Sequence, residues 1–176
     1  MEQQPVTRVI HTQIERTGEM EHSSPLFLTS SFCYNDAEDM RAAFADENDD
    51  NIYSRFSNPS VQEFTDRVCV MEGAEAGYAT ASGMSALFGS LMALLQQGDH
   101  LLSCNAVFGS THTVLTKFLP RYGIECTYVD IKDPDSWEAA IRPNTKMIFL
   151  ELPPIRASTW LIWRWWASWP ESTSFF

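Results

Sequence analysis

Residues 78–152, YATASGMSALFGSLMALLQQGDHLLSCNAVFGSTHTVLTKFLPRYGIECTYVDIKDPDSWEAAIRPNTKMIFLEL, alternate short apolar runs with longer helical patterns. YATAS reads as a strand leading into a helix over GMSALFGSLMALLQQ that stops at Gly98. LLSC is the next strand, STHTVLTKFLPRY a helix stopped by Gly123, ECTYVD a strand, PDSWEAAIR a short helix, and KMIFLEL an apolar strand. Strands separated by helices of this length build βαβ crossovers, hence an α/β fold with a mostly parallel sheet and helices on both faces. In such sheets ligands collect at the carboxyl ends of strands, which directs attention to Ala81–Ser85, Asn105–Ser110 and the chain from Glu151 onward.

Upstream, PSVQEFTDRVCVMEGA opens with Pro59 at a first helical position and ends at Gly73, with Val61, Phe64, Val68 and Met71 at helical spacing. One face of that helix is expected to be buried. Residues 1–50 are irregular apart from an apolar patch, Pro25 to Phe32, and a short helix, Asp36 to Asp46, capped by Asp36. The expected organisation is an arm over 1–58, an incomplete α/β domain over 59–151 and a distinct tail over 152–176.

The 176 residues carry 12 Lys and Arg against 23 Asp and Glu, a net charge of −11 that repels nucleic acid and anionic membranes. The acidic run at Asp46, Glu47, Asp49 and Asp50 lacks the glycine turn and spaced ligands of a calcium loop and reads as a solvated loop. Cys33, Cys69, Cys104 and Cys126 form no CxxC pair, so reduced structural thiols are expected and no metal site. MEQQPVTRVIHTQIERT has no apolar stretch of a secretory signal, and a cytoplasmic location is expected.

Three segments carry chemistry. In Ala81-Ser82-Gly83-Met84-Ser85 a strand end passes through Ser82, a good N-cap, and Gly83 into a long helix, which leaves free amides and a helix dipole for an anion. A capped helix with a tight turn explains the same residues without a ligand, and the absence of GxGxxG and GxxxxGK[ST] disfavours a dinucleotide or a nucleoside triphosphate. Phe108, beside Gly109 at the next strand end, can stack on a planar ring or fill the core. Tyr53 and Arg55, alternating in an extended segment, would face one side and offer a hydroxyl and a guanidinium fork to one anion. As solvated surface residues they would need no ligand.

Taken in order, TRVIHTQ, YSRFSNPS, TASGMSAL, VFGST and KMIFLE resemble the pyridoxal-phosphate-dependent enzymes of cysteine and methionine metabolism, over residues 6–151. That family includes cystathionine γ-synthase, cystathionine lyases, methionine γ-lyase and the O-acylhomoserine sulfhydrylases. VFGST, where most relatives carry Tyr-Gly-Gly-Thr, leans toward the O-succinylhomoserine sulfhydrylases. The resemblance implies part of a fold-type-I transferase large domain in which Ser82 and the amides of Gly83 and Met84 hold the phosphate of pyridoxal 5'-phosphate. Phe108 would stack on its ring in place of the usual tyrosine, without the phenol that relatives use in acid–base steps. Tyr53 and Arg55 would reach the phosphate of a neighbouring subunit in a homo-oligomer. The implied substrate is a small amino acid, and the implied reaction is replacement of the γ-acyloxy group of O-succinylhomoserine by sulfide to give homocysteine. The lysine that forms the Schiff base and the carboxylate that pairs with the ring nitrogen belong downstream of KMIFLE in the family, and neither has a recognisable context here. Two rival readings are a noncatalytic fragment that binds phosphate or subunits, and an unrelated α/β phosphate binder.

Five of the six tryptophans, Trp160, Trp163, Trp165, Trp166 and Trp169, crowd into ten residues of the tail. The apolar run is broken by Arg164 and too short for a bilayer span, which leaves an interfacial anchor as one reading. The other is translation out of frame, because permitted codons read one nucleotide earlier from Pro154 spell an acidic, leucine-rich helix of family type. The nucleotide sequence past codon 151 tests this: a one-nucleotide shift is expected to restore that helix, and a random alternative frame would refute it.

Overall fold

The computed structural model describes residues 4–151. The tail expectation, 152–176, lies outside the described residues. The chain divides into two compact units, residues 1–79 and 80–176.

The first unit contains α1 (Pro5–His11), α2 (Ala37–Phe44) and α3 (Pro59–Glu72). Proline in the first turn starts α1 and α3, where the missing N–H costs no helical bond. The Asp36 carboxylate caps α2 by accepting from the amides of Glu38 and Asp39 at 2.8 and 2.9 Å. Asn58 caps α3 through the Ser60 amide, and Gly73 ends it at φ 66°, a conformation that suits a residue without Cβ. α1 packs on α3. The Arg67 guanidinium ties them by donating to the Thr12 carbonyl at 2.9 Å while pairing with Glu63 one turn earlier at 2.6 Å.

The expected buried face of α3 is not found: none of its residues is buried, and Val61, Phe64 and Met71 are exposed. Among residues 6–79 only Ala43 and Asn58 are buried. The helical period is real, but α1 is two turns long and carries too few apolar side chains to cover fourteen residues of α3.

The second unit holds the core. α4 (Gly83–Leu94), β1 (His100–Cys104), α5 (Gly109–Thr113), β2 (Glu125–Val129), α6 (Pro134–Ala140) and β3 (Thr145–Phe149) follow in order. β1 lies between β2 and β3 and is parallel to both, with His100 opposite Glu125 and Thr145. All five residues of β1 are buried. Leu101 faces Leu91 of α4, Leu95 just beyond it, Leu115, Leu119, Ile124 and Met147. On the other face, Leu102 and Cys104 meet Val129, Ile131 and Trp137, whose indole is 1% exposed. Helices therefore cover both faces of a parallel sheet, as the alternating pattern requires.

Three boundaries differ from expectation. Residues 78–82 are not a strand, because a strand exists only as part of a ladder and the described sheet offers them no partner. α4 ends at Leu94 rather than Gln97, since the Asp99 carboxylate accepts from the Gln96 amide at 2.8 Å and Gly98 turns the chain at φ 92°. After α5 the helix passes through a π turn, Val114–Phe118, and a 3-10 turn, Leu119–Tyr122. Pro120 has no N–H for the carbonyl four residues back, and Leu119 instead donates to Val114, five residues back. Among the described residues no helix is long and apolar enough to cross a membrane.

One polar rung crosses the sheet. The His100 imidazole, fully buried, bonds Thr145 Oγ1 and Thr127 Oγ1, each at 2.8 Å. Arg142 donates to the same Thr127 hydroxyl at 3.1 Å and to Glu125 at 2.6 Å. Burial holds the imidazole below its ordinary value and the Arg142 charge adds to this, while Glu125 opposes it. The unfolded chain thus binds a proton that the folded chain resists, and stability falls as pH drops below about 6.5. Denaturant midpoints are expected to fall between about pH 7.5 and 5.5, with a flatter profile in His100→Gln. Identical pH profiles for the two proteins would contradict the assignment.

Candidate cofactor site

A short helix start and an aromatic at a strand end compose the site in the second unit. α4 descends from Gly83 to Leu94, and the next strand, β1, begins at the opposite end of the layer. The N-terminus of α4 therefore faces the carboxyl ends of the strands, where α4 touches α5. Ser82 Oγ accepts from the Ser85 amide at 3.2 Å and lies 3.0 Å from Ser85 Oγ, while Thr80 Oγ1 donates to the Ser82 carbonyl at 2.9 Å. That cap leaves the amides of Gly83 and Met84 without acceptors inside the helix. No acidic residue occupies the first turn, and nothing lies within 4 Å of where a Gly83 Cβ would stand. An anion can approach these amides along open space, with the positive end of the helix dipole behind them.

Phe108 follows β1 and immediately precedes α5. Its ring is 54% exposed at the same edge of the sheet, free of the core role that was its other reading. A phosphate on the α4 amides and a planar ring against Phe108 together suit a phosphorylated aromatic heterocycle, so the residues present fit pyridoxal 5'-phosphate.

Glu151, two residues past β3, reaches across to this loop. Its carboxylate accepts from the Phe108 amide at 2.6 Å and from Thr111 Oγ1 at 2.5 Å, and Thr111 is fully buried. Sequence pointed to the chain from Glu151 onward as a strand end worth inspecting, but not to this contact, which depends on two segments forty residues apart. His112 and Tyr128 are a second pair with no sequence signal: their rings stack at 5.6 Å, and His112 Nδ1 lies 3.0 Å from the phenol oxygen. Burial pushes the Tyr128 phenol up to about 12 and the Cys126 thiol up to about 11, so neither is an anion at neutral pH.

Tyr53 and Arg55 lie in the first unit. The segment is a turn rather than the extended run expected, because the Tyr53 carbonyl accepts from the Phe56 and Ser57 amides at 2.8 and 3.1 Å. Ser54 fixes the turn by donating to the Thr29 carbonyl, and Asn58 donates to Ser54 Oγ at 2.9 Å and to the Phe27 carbonyl at 3.0 Å. The turn still brings the two together: the Arg55 guanidinium carbon sits 5.8 Å from the Tyr53 ring centroid and 4.8 Å from that of Phe56.

Known proteins resemble this chain in sequence and in fold. The family model for the Cys/Met metabolism PLP-dependent enzymes matches residues 6–156. The O-succinylhomoserine sulfhydrylase of Pseudomonas aeruginosa is 45% identical over 147 residues, 84% of this chain and 36% of that protein. Its Mycobacterium tuberculosis counterpart is 42% identical over 138 residues, 78% of this chain and 34% of the relative. The L-methionine gamma-lyase of Porphyromonas gingivalis is 38% identical over 131 residues, 74% of this chain and 33% of the relative. The chain thus spans about a third of the length of these curated relatives. Among solved structures, a Campylobacter jejuni protein assigned as an O-acetylhomoserine (thiol)-lyase superposes with a TM-score of 0.77 at 32% identity, over 84% of this chain and 36% of that one. It carries a pyridoxyl-lysine phosphate. Cystathionine gamma-lyase from Lactobacillus plantarum gives a TM-score of 0.72 at 31% identity, over 86% of this chain and 38% of that one. With an open helix start and an exposed aromatic at the carboxyl edge of a parallel sheet, and a family match over most of its length, the chain belongs to the pyridoxal-phosphate-dependent enzymes of cysteine and methionine metabolism.

Proposed function

We infer that this chain is the phosphate- and ring-binding part of an enzyme that exchanges the γ-substituent of an O-acylhomoserine, O-succinylhomoserine first, for sulfide to give homocysteine. The observation that carries the reading is the open N-terminus of α4 at the same sheet edge as the exposed Phe108. When bound, the cofactor ring supplies an electron sink for loss of protons from the substrate carbons. The amides of Gly83 and Met84, with Ser82 fixing the helix start, hold its phosphate. Phe108 stacks on the ring and orients it.

A phenylalanine at position 108 can stack but cannot carry a proton. That difference favours γ-replacement over the elimination catalysed by a methionine γ-lyase, in agreement with the higher identity to the sulfhydrylases. Cystathionine γ-synthesis, with a thiol amino acid in place of sulfide, is the alternative within the same chemistry. Arg55 and Tyr53 are assigned to the phosphate bound by a neighbouring subunit, which makes the functional assembly a homo-oligomer, and the location is cytoplasmic. Arg55, whose guanidinium leans on aromatic faces instead of a carboxylate, retains its donors for an anion.

Lys117, Lys132 and Lys146 lie in segments that match no Schiff-base position, and the chain by itself is assigned no turnover. Purified chain incubated with O-succinylhomoserine and sulfide is expected to yield no homocysteine; product that disappears on substitution of one of these lysines would overturn the assignment. In an absorbance titration of the frame-restored enzyme with pyridoxal phosphate, Arg55→Ala is expected to weaken binding by roughly tenfold or more through lost charge-assisted hydrogen bonds. Arg121→Ala, whose guanidinium lies over Phe118 at 5.2 Å, should leave it nearly unchanged. Equal dissociation constants for the two variants would contradict the anion clamp.

A further inference from the structure

The helical segment that begins at Gly109 has an unusual start. Its N-cap residue is Phe108, which has no side-chain acceptor, and no cap hydrogen bond comes from that position. In a local capping box the residue three positions into the helix returns a carboxylate to the N-cap amide. Here that third position is Thr111, and the carboxylate comes instead from Glu151, beyond the end of β3. One oxygen takes the Phe108 amide at 2.6 Å and the other the Thr111 hydroxyl at 2.5 Å. Bonds of this kind to an ionised carboxylate are about twice as strong as neutral ones.

We propose that Glu151 is a positioning residue: by clamping the Phe108 amide and the Thr111 hydroxyl, it fixes the backbone that aims the Phe108 ring at the cofactor. The geometry separates the clamp from the ring. The carboxylate is half-buried against a buried hydroxyl, while the aromatic is more than half exposed and belongs to neither core cluster. β1 is locked on both sides by parallel partners and Ala106 is buried in the core just beyond it, so the chain is anchored that far, while Phe108, two residues on, is exposed. Glu151 holds that exposed position from the neighbouring strand. Loss of the carboxylate would leave the helix start uncapped and the ring sampling several directions, which weakens stacking without removing any atom that touches the cofactor.

This assignment rests on the cofactor reading of Phe108, and its test keeps the two apart. Amide exchange is measured on the full 176-residue chain by NMR, together with a pyridoxal phosphate titration, for wild type, Glu151→Ala, Glu151→Gln, Phe108→Ala and the Glu151→Ala/Phe108→Ala double variant. Glu151→Ala is expected to speed exchange of the Phe108 amide by roughly tenfold, with Leu102 in β1 unchanged as a folding control. The same variant is expected to lose as much cofactor affinity as Phe108→Ala, with no further loss in the double variant, and Glu151→Gln, which keeps an acceptor oxygen, should fall between. An unchanged Phe108 amide would overturn the clamp. Faster exchange with wild-type affinity, or additive losses in the double variant, would reduce Glu151 to a structural cap and overturn the positioning role. A wild-type chain whose Gly83, Met84 and Phe108 signals ignore pyridoxal phosphate would instead sink the cofactor reading, and the purpose given to Glu151 with it.

Discussion

Strand β1 is the constraint on which the second unit rests. Its five residues are all buried, and both of its edges are paired in parallel register, to β2 through Glu125–Val129 and to β3 through Thr145–Phe149. A strand in that position needs apolar side chains on both faces, which is why HLLSC shows no alternation of polar and apolar residues. Leu101 then draws α4 to one face, while Leu102 and Cys104 draw α6 and its Trp137 to the other. The one polar side chain long enough to cross between strands, His100, is admitted because hydroxyls from both neighbours satisfy its ring. Parallel pairing also puts the three strand exits on one edge. Phe108 and Glu151 meet there, and the start of α4 faces the same edge, because the topology brings them, although 68 positions separate Gly83 from Glu151 in the chain.

The two units solve different problems. The second builds a core; the first exposes most of its apolar side chains, including Leu26, Leu28, Phe56 and Phe64. Its internal order comes from polar contacts: caps at Asp36 and Asn58, the ion pair of Arg67 and Glu63, and the side-chain bonds that shape the turn at Tyr53 to Ser57. Such contacts define local geometry but supply little of the burial that stabilises a domain. An element of this kind is suited to work against another surface.

Legibility in the sequence followed the range of the interaction involved. α3 was readable to the residue, because Pro59 and Gly73 act within one turn of themselves. The three strands of the sheet and the covering helices were readable from alternation and stop signals. What could not be read was anything decided by a distant partner. The segment 78–82 has strand composition but finds no ladder, α3 has an apolar face but little to cover it, and the Tyr53 turn is set by Thr29, Phe27 and Asn58 rather than by its own pattern. At the site, Ser82 and Gly83 announced a helix start because capping is local. Phe108 was visible as an aromatic at a strand end. The bond from Glu151 to Phe108 was not, since only the register of β3 against β1 brings the two together.

The central claim is that this chain holds a phosphorylated aromatic ring between the first amides of α4 and the side chain of Phe108. The most direct measurement is a crystal structure of the chain grown with pyridoxal phosphate. The account predicts phosphate density within hydrogen-bond distance of the Gly83 and Met84 amides, with the ring stacked on Phe108. Density for the ligand elsewhere, for example in the cleft of the first unit lined by Arg8, Asp66 and Cys69, with the α4 terminus bare, would contradict it.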